Sequence, residues 1–356
     1  MTRKPTRALG AGKLQIGGGA PISVQSMTNT RTEDVPATMD QIGRLVDAGC
    51  DILRLSVYNE DCVDAIPLYK KEYPDLPLVA DIHFDADLAL GSIEAGIDKI
   101  RINPGNIGSR EKVHAIARAA KEAGISIRVG VNAGSLERHI LEEYGRTAKA
   151  MAVSALRYVD MLSEVGFTDT VVSLKASDIP LTVEANRLFS RESDCPLHLG
   201  ITEAGTVRTG AIRSAVGLGI LLYEGIGDTI RVSLSGDPAE EAIAGREILA
   251  SLGLTRRGVT VIACPTCGRA SYDVSGNASL IEEKTRHIRT PLKVAVMGCA
   301  VNGPGEARDA DIGIAGGSGQ AVLFAKGKPV RAIPEARAVA ELMALIGEMA
   351  GETDED

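Results

Sequence analysis

From about residue 21 to residue 237 the chain repeats one unit eight times. A β-branched, apolar run ends in polar or glycine residues, and a stretch of helical character follows. The runs are "PISVQSMTNT", "CDILRLSVYN", "PLVADIHFD", "GIDKIRINPGN", "ISIRVGVNAGS", "DTVVSLKASD", "PLHLGITEAG" and "DTIRVSLSGDP", beginning near residues 21, 50, 77, 96, 125, 169, 196 and 228. Their spacing of about 29 residues accommodates one strand, one helix and two short connections. The intervening segments carry helix signals. "EDVPATMDQIGRLVDAG" has an acidic start, an early Pro and a Gly stop, and "SREKVHAIARAAKEAG" has a Ser cap and a Gly end. Eight consecutive β/α units predict an α/β fold of the TIM (β/α)8 barrel type, here assigned to residues 1–254. The alternative, an open doubly wound sheet, usually carries a phosphate-binding fingerprint after its first strand. None is present, and "GGG" at 17–19 precedes the first strand and reads as a turn.

Residues 255–350 follow a different pattern. The strands "GVTVIAC", "LKVAVMGCAV", "DIGIAG" and "AVLFAKG" and the helices "ASLIEEKTRHI" and "EARAVAELMALIGEMAG" predict a small α+β domain, joined to the barrel by a short linker near "SLGLTRRG". Residues 351–356, "GETDED", read as a solvated acidic tail.

Side chains alternate between the two faces of a strand. On that basis Arg54 shares a face with Ser56, Arg101 with Asn103, Arg128 with Asn132, Lys175 with Ser173 and Ser177, and Arg231 with Ser233 and Ser235. A single such cation would ordinarily be half of a structural ion pair. Five at matching positions, near the C-terminal ends of barrel strands, predict a ring at the mouth where barrel active sites form. Such a ring suits a ligand carrying one or two phosphates. Asp81 and His83 lie at another strand end, as do Thr202 and Glu203. Glu203 could serve as an acid–base group, although a plain Arg partner fits its spacing too. For His83 a hydrogen-bonded structural role fits equally well.

Composition narrows the ligand. The net charge is −8, aromatic residues make up 3% and Trp is absent, which disfavours a nucleic-acid surface. The chain has no 18-residue apolar run, and its basic start lacks the apolar core of a signal peptide, so a cytoplasmic protein is expected.

The cysteines point to a second centre. Cys264 and Cys267 form a Cys-x2-Cys pair, but no second pair follows, and downstream there is Cys299 alone. Cys50 and Cys195 sit where barrel strands begin and read as packing residues. A fourth ligand could come from His287 or from Glu306, seven residues beyond Cys299. Three thiolates and a carboxylate suit structural zinc poorly. They better suit a [4Fe–4S] cluster with one exchangeable corner. Zinc, or no metal, remains open on spacing alone.

The motifs "VQSMTNT", "RINPGN", "RVGVNAGS", "GITEAG", "ACPTCGR" and "MGCAVNGPGEA", in this order, resemble the bacterial 4-hydroxy-3-methylbut-2-enyl diphosphate synthases of the methylerythritol phosphate route to isoprenoids. The resemblance spans about residues 5–345 and is to the short two-domain form. It implies a reductive ring opening of 2-C-methyl-D-erythritol 2,4-cyclodiphosphate, with electrons from reduced flavodoxin or ferredoxin. It also implies a [4Fe–4S] cluster on Cys264, Cys267, Cys299 and Glu306. By the same resemblance Arg54, Arg101, Arg128, Asn132, Lys175, Arg231, Ser233 and Ser235 hold the substrate, with His83 nearby. Thr202 and Glu203 sit beside the reacting carbons, Glu203 as proton donor or acceptor, and Asn302 arrives with the cluster domain. The family implies a homodimer in which the cluster domain of one chain caps the barrel of the other. The alternative enzyme is a phosphosugar aldolase or isomerase with a structural zinc knuckle, in which Lys175 could form a Schiff base. A zinc-ribbon nucleic-acid module is the third possibility, opposed by charge and composition.

Overall fold

The computed structural model describes residues 2–255, 258–265, 267, 270, 272–299, 305, 307–317 and 319–351, the side chains of Pro104 and Gly105 aside. The chain divides into two compact units, Met1–Thr255 and Arg256–Asp356.

The first unit bears out the barrel. Its eight parallel strands are β3 (Ser23–Met27), β4 (Ile52–Ser56), β5 (Leu78–Ile82), β6 (Lys99–Ile102), β7 (Ser126–Asn132), β8 (Thr170–Lys175), β9 (His198–Leu199) and β10 (Thr229–Ile230). They pair in the order β8-β7-β6-β5-β4-β3-β10-β9, and a parallel bridge from Val172 to Leu197 closes the ring. Regular pairing in β9 and β10 lasts only two residues each, shorter than the apolar runs suggest. Beyond it the backbone turns toward the mouth, where the Thr202 N–H donates to Ala176 O at 3.2 Å.

Several helices begin at side-chain caps, whereas Ser109, the expected cap of Arg110–Ala123, holds the N-cap position without a cap hydrogen bond. The Asp34, Asn59 and Asp178 side chains accept from the N–H groups of Ala37, Cys62 and Leu181. Ile, Leu and Val fill the layer between strands and helices, and Cys50, Cys62 and Cys195 are buried there.

The sequence pattern gave no sign of a short hairpin, β1 (Leu9–Ala11) and β2 (Leu14–Ile16), paired antiparallel with Leu9 opposite Ile16. Its Leu9, Ala11 and Ile16 pack against Ile52, Val79 and Val171 near the N-terminal ends of the strands, forming an apolar floor inside the barrel. Arg3 and Thr6 tie the preceding segment down, each 2.9 Å from Asp228 Oδ1.

The second unit is a five-stranded sheet of β11 (Val259–Ala263), β12 (Leu292–Met297), β13 (Ile312–Gly317), β14 (Gln320–Ala325) and β15 (Lys328–Pro334), in that order. β11, β12 and β13 run parallel, and β14 and β15 continue antiparallel. β15 adds a strand to the four expected. "KPVRAIP" has a proline near each end and only Ile333 buried, a composition that an edge strand tolerates. Helices Val274–Thr285 and Ala338–Ala350 cover one face, burying Ile281, Val294, Val296, Ile314, Leu342 and Ile346. Ala295, Met297, Ala315 and Phe324 form a smaller apolar patch with Ala307 and Ala310. Among the described residues no helix is long and apolar enough to cross a membrane.

Candidate active site

Register brings the predicted cations of the barrel together. Arg101 pairs with Arg128 across β6 and β7, Asp81 with Arg101 across β5 and β6, and Asn132 with Lys175 across β7 and β8. Arg101, Arg128 and Lys175 are buried, and Arg54 and Arg231 are nearly so. Two glycines make room for them. A Cβ at Gly130 would lie 2.9 Å from Arg101 Nε, and one at Gly200 would lie 2.5 Å from Lys175 Nζ.

Part of the ring is paired within the barrel. Arg101 Nη1 donates to Asp81 Oδ1 at 3.0 Å, His83 Nε2 lies 3.1 Å from Asp81 Oδ2, and Arg54 Nε lies 3.7 Å from the same oxygen. Arg231 forks onto Glu241 with contacts of 3.1 and 3.2 Å. Glu241, from helix Pro238–Ser251, also accepts from Ser26 Oγ at 3.0 Å and from the Leu234 N–H at 3.1 Å. The sequence pattern did not single out Glu241, because it reaches the ring from a helix. Its position in an acidic first helical turn just after Arg231 was the available signal. The Met27 sulfur lies 3.0 Å from Arg54 Nε, so one rim contact is apolar and polarisable.

The pairing leaves positive charge over. Arg128 Nε and Nη1 and Arg101 Nε are buried with no hydrogen-bond partner among the described residues. Burial, together with the neighbouring Arg54 and Arg101, disfavours the Arg128 cation, and Asp81 only partly offsets this. Burial also draws Arg54 down to about 9 against the pull of Asp81. A guanidinium keeps its proton at neutral pH, so this cost amounts to a demand for counter-charge. Lys175 can discharge, and burial followed by Arg128 and Arg54 draws it well down. Burial pushes Asp81 up, but Arg54, the His83 hydrogen bond and Arg101 more than offset it, holding the carboxyl well below the usual carboxylate range.

The loops above the ring carry the other predicted groups. Glu203 is exposed, and its backbone has φ 53°, a left-handed conformation costly for a residue other than glycine. Thr202 beside it is half-buried. The Ser235 N–H donates to Gly205 O at 2.9 Å, so the loop holding Ser233 and Ser235 is fastened to the loop holding Glu203. His83 is exposed on the rim.

In the second unit Ala263 pairs with Val296, so β11 and β12 end at one edge of the sheet. Cys264 follows β11, and Cys299 lies two residues beyond β12. Both are half-buried, whereas Cys267 is exposed. The Gly298 N–H donates to Cys264 Sγ at 3.1 Å, tying the turn after β12 to the end of β11. Burial instead pushes the Cys50 thiol up to about 12 and raises Cys62 and Cys195. Accessibility therefore sorts the six thiols into three buried in the barrel and three half-buried or exposed in the second unit. Asn302 and Glu306 lie outside the described residues, and among the described ones no three His, Cys, Asp or Glu side chains gather closely enough to hold a metal ion. The donor chemistry, three accessible thiols at one edge, nevertheless fits an iron–sulfur cluster.

Comparison with known proteins joins these two halves. Residues 6–246 match the GcpE TIM-barrel domain, and residues 260–348 match the GcpE protein C-terminal domain. The chain belongs to the GcpE family. A relative from Caldanaerobacter subterraneus subsp. tengcongensis is 56% identical over 98% of this chain and 99% of its own. One from Geobacillus thermodenitrificans is 56% identical over 98% of this chain and 94% of its own. Both are named 4-hydroxy-3-methylbut-2-en-1-yl diphosphate synthase (flavodoxin). Among solved structures, a Yersinia pestis dihydropteroate synthase superposes with a TM-score of 0.53 at 13% identity, covering 70% of this GcpE chain and 99% of its own. That likeness concerns the barrel fold alone.

Proposed function

We propose that this chain carries out the reaction for which its GcpE relatives are named, the reductive opening of 2-C-methyl-D-erythritol 2,4-cyclodiphosphate to 4-hydroxy-3-methylbut-2-enyl diphosphate. The observation that carries this reading is the surplus of buried, incompletely paired cations at the barrel mouth. A cyclic diphosphate supplies the missing negative charge, and arginine forks match phosphoryl oxygens. In this reading Arg54, Arg101, Arg128, Lys175 and Arg231 bind the diphosphate, and Asn132, Ser233 and Ser235 complete its hydrogen bonds. Asp81 and Glu241 keep Arg101 and Arg231 in place. His83 lies at the rim, beside Asp81.

Glu203 holds a carboxyl at the mouth beside Thr202, where it can give or take the proton that accompanies ring opening. Two electrons enter, and the departing oxygen leaves as water after protonation. Cys264, Cys267 and Cys299, with Glu306, would hold the [4Fe–4S] cluster. When bound, that cluster supplies the electrons and a Lewis-acidic iron for the departing oxygen. Asn302 joins the substrate from the same unit. Reduced flavodoxin is the electron donor in this reading, with ferredoxin the other candidate. The working form would be a homodimer in which the cluster unit of one chain covers the barrel of the other. Accessible thiols of this kind persist in a reducing compartment, which supports a cytoplasmic location.

The aldolase reading with a zinc knuckle is not favoured, since the full-length relatives are named for a different reaction. The test is to purify the protein without oxygen, measure iron and sulfide, and assay the cyclic diphosphate with reduced flavodoxin. Brown, active protein is expected. A colourless, folded protein with stoichiometric zinc overturns the proposal.

A further inference from the structure

Beneath the mouth ring the barrel carries a second inward layer. Gln25 of β3, Lys99 of β6, Ser126 of β7, His198 of β9 and Thr229 of β10 are each at most 1% exposed. Lys99 pairs with Ser126, and His198 with Thr229. Arg128 stands two residues above Ser126 on the same face, and the apolar floor closes the barrel below.

This layer is poorly satisfied. His198 Nδ1 and Thr229 Oγ1 lie 2.6 Å apart. Lys99 Nζ, Ser126 Oγ, both amide atoms of Gln25, His198 Nε2 and, above them, Arg128 Nε and Nη1 have no hydrogen-bond partner among the described residues. Buried polar atoms are normally bonded, so this set marks a site. It is rich in donors, because ammonium, guanidinium and amide N–H groups outnumber the acceptors facing them. Burial and then Arg128 draw Lys99 well down, with no carboxylate acting on it. Burial, followed by Lys175, Arg128 and Lys99, does the same to His198. Discharging Lys99 would ease its own burial but leave Arg128 cationic above the layer.

We propose that this layer is an anion site separate from the mouth, taking one halide-sized ion such as chloride below Arg128 and between Lys99 and Ser126. Lys99 and Ser126 are register partners on neighbouring strands, so one anion can accept from the Ser126 hydroxyl and from the flexible Lys99 ammonium together. The site neutralises the underside of Arg128 and leaves its outer face for a ligand at the mouth. Nothing in this inference depends on the reaction catalysed.

Two measurements on the full chain test it. In crystals soaked with bromide, an anomalous peak is expected within hydrogen-bonding reach of Lys99 Nζ and Ser126 Oγ. In solution without phosphate, replacing gluconate by chloride at constant ionic strength should raise Tm, on the order of 5 °C at about a hundred times Kd. Lys99→Met and Ser126→Ala should each lose most of that rise. Ordered water alone in the bromide map overturns the proposal, as does a chloride response unchanged in both variants. If Lys99→Met does not fold, Ser126→Ala and the bromide map still decide.

Discussion

The two units prepare for chemistry in opposite ways. The barrel buries its ring of cations on or just beyond strands, closed by hydrogen bonds all round, and pairs part of their charge internally through Asp81 and Glu241. The C-terminal unit leaves its thiols beyond strand ends, half-buried or exposed. A ring of fixed charges gains from a rigid wall, because each cation must keep its place against its neighbours. If the thiols receive a cluster, as proposed, they gain from an accessible edge. The difference implies that the two functions can be removed separately.

The sharpest separation should come from Cys299→Ser. We expect complete loss of iron, sulfide and turnover, with binding of the cyclic diphosphate by the barrel still detected by calorimetry. If the variant keeps full activity, the ligand assignment fails. Glu203→Gln should come next, lowering kcat by about 10²–10⁴-fold, the range for a lost acid–base group, while visible absorption and substrate affinity stay near wild type. A loss of cluster in this variant would contradict the independence of the two units.

Arg128→Met should weaken substrate binding by about 10- to 100-fold, as expected for a lost charge-assisted contact, and leave iron content intact. Unchanged affinity would mean that this guanidinium serves the barrel alone. The smallest effect is expected for Cys195→Ala. Iron content and kcat should match wild type, with a stability loss of about 1 kcal/mol from the vacated packing volume, read from denaturant midpoints. A fall in iron would break the sorting of thiols by accessibility.

What the sequence reveals follows from the length over which a pattern extends. The eightfold repeat is legible because each unit is long and its β-branched runs recur at steady spacing. The hairpin at Leu9–Ile16 is not, since two strands of three residues are too short to show alternation. β15 hides behind its prolines and charges. At the site, strand alternation alone brings Arg101, Arg128 and Lys175 onto one wall. It could not show that Arg231 is forked by Glu241, a contact made by a helix folding back. Lys99 obeyed the same alternation two residues before Arg101. It escaped notice because a lysine at the start of a strand reads as a solvated end, whereas here the floor hairpin seals that end.

Gly130 and Gly200 carry a consequence for how this barrel can change over generations. Neither has a side chain to touch a ligand, yet any added carbon would collide with Arg101 or Lys175. In a deep mutational scan selected for activity, both positions should therefore tolerate as little as the cations themselves. Replacing Arg101 by something smaller should restore some tolerance at Gly130, whereas at Gly200 the Arg231 carbonyl oxygen, 2.7 Å from the added carbon, would still exclude a side chain after Lys175 is shortened.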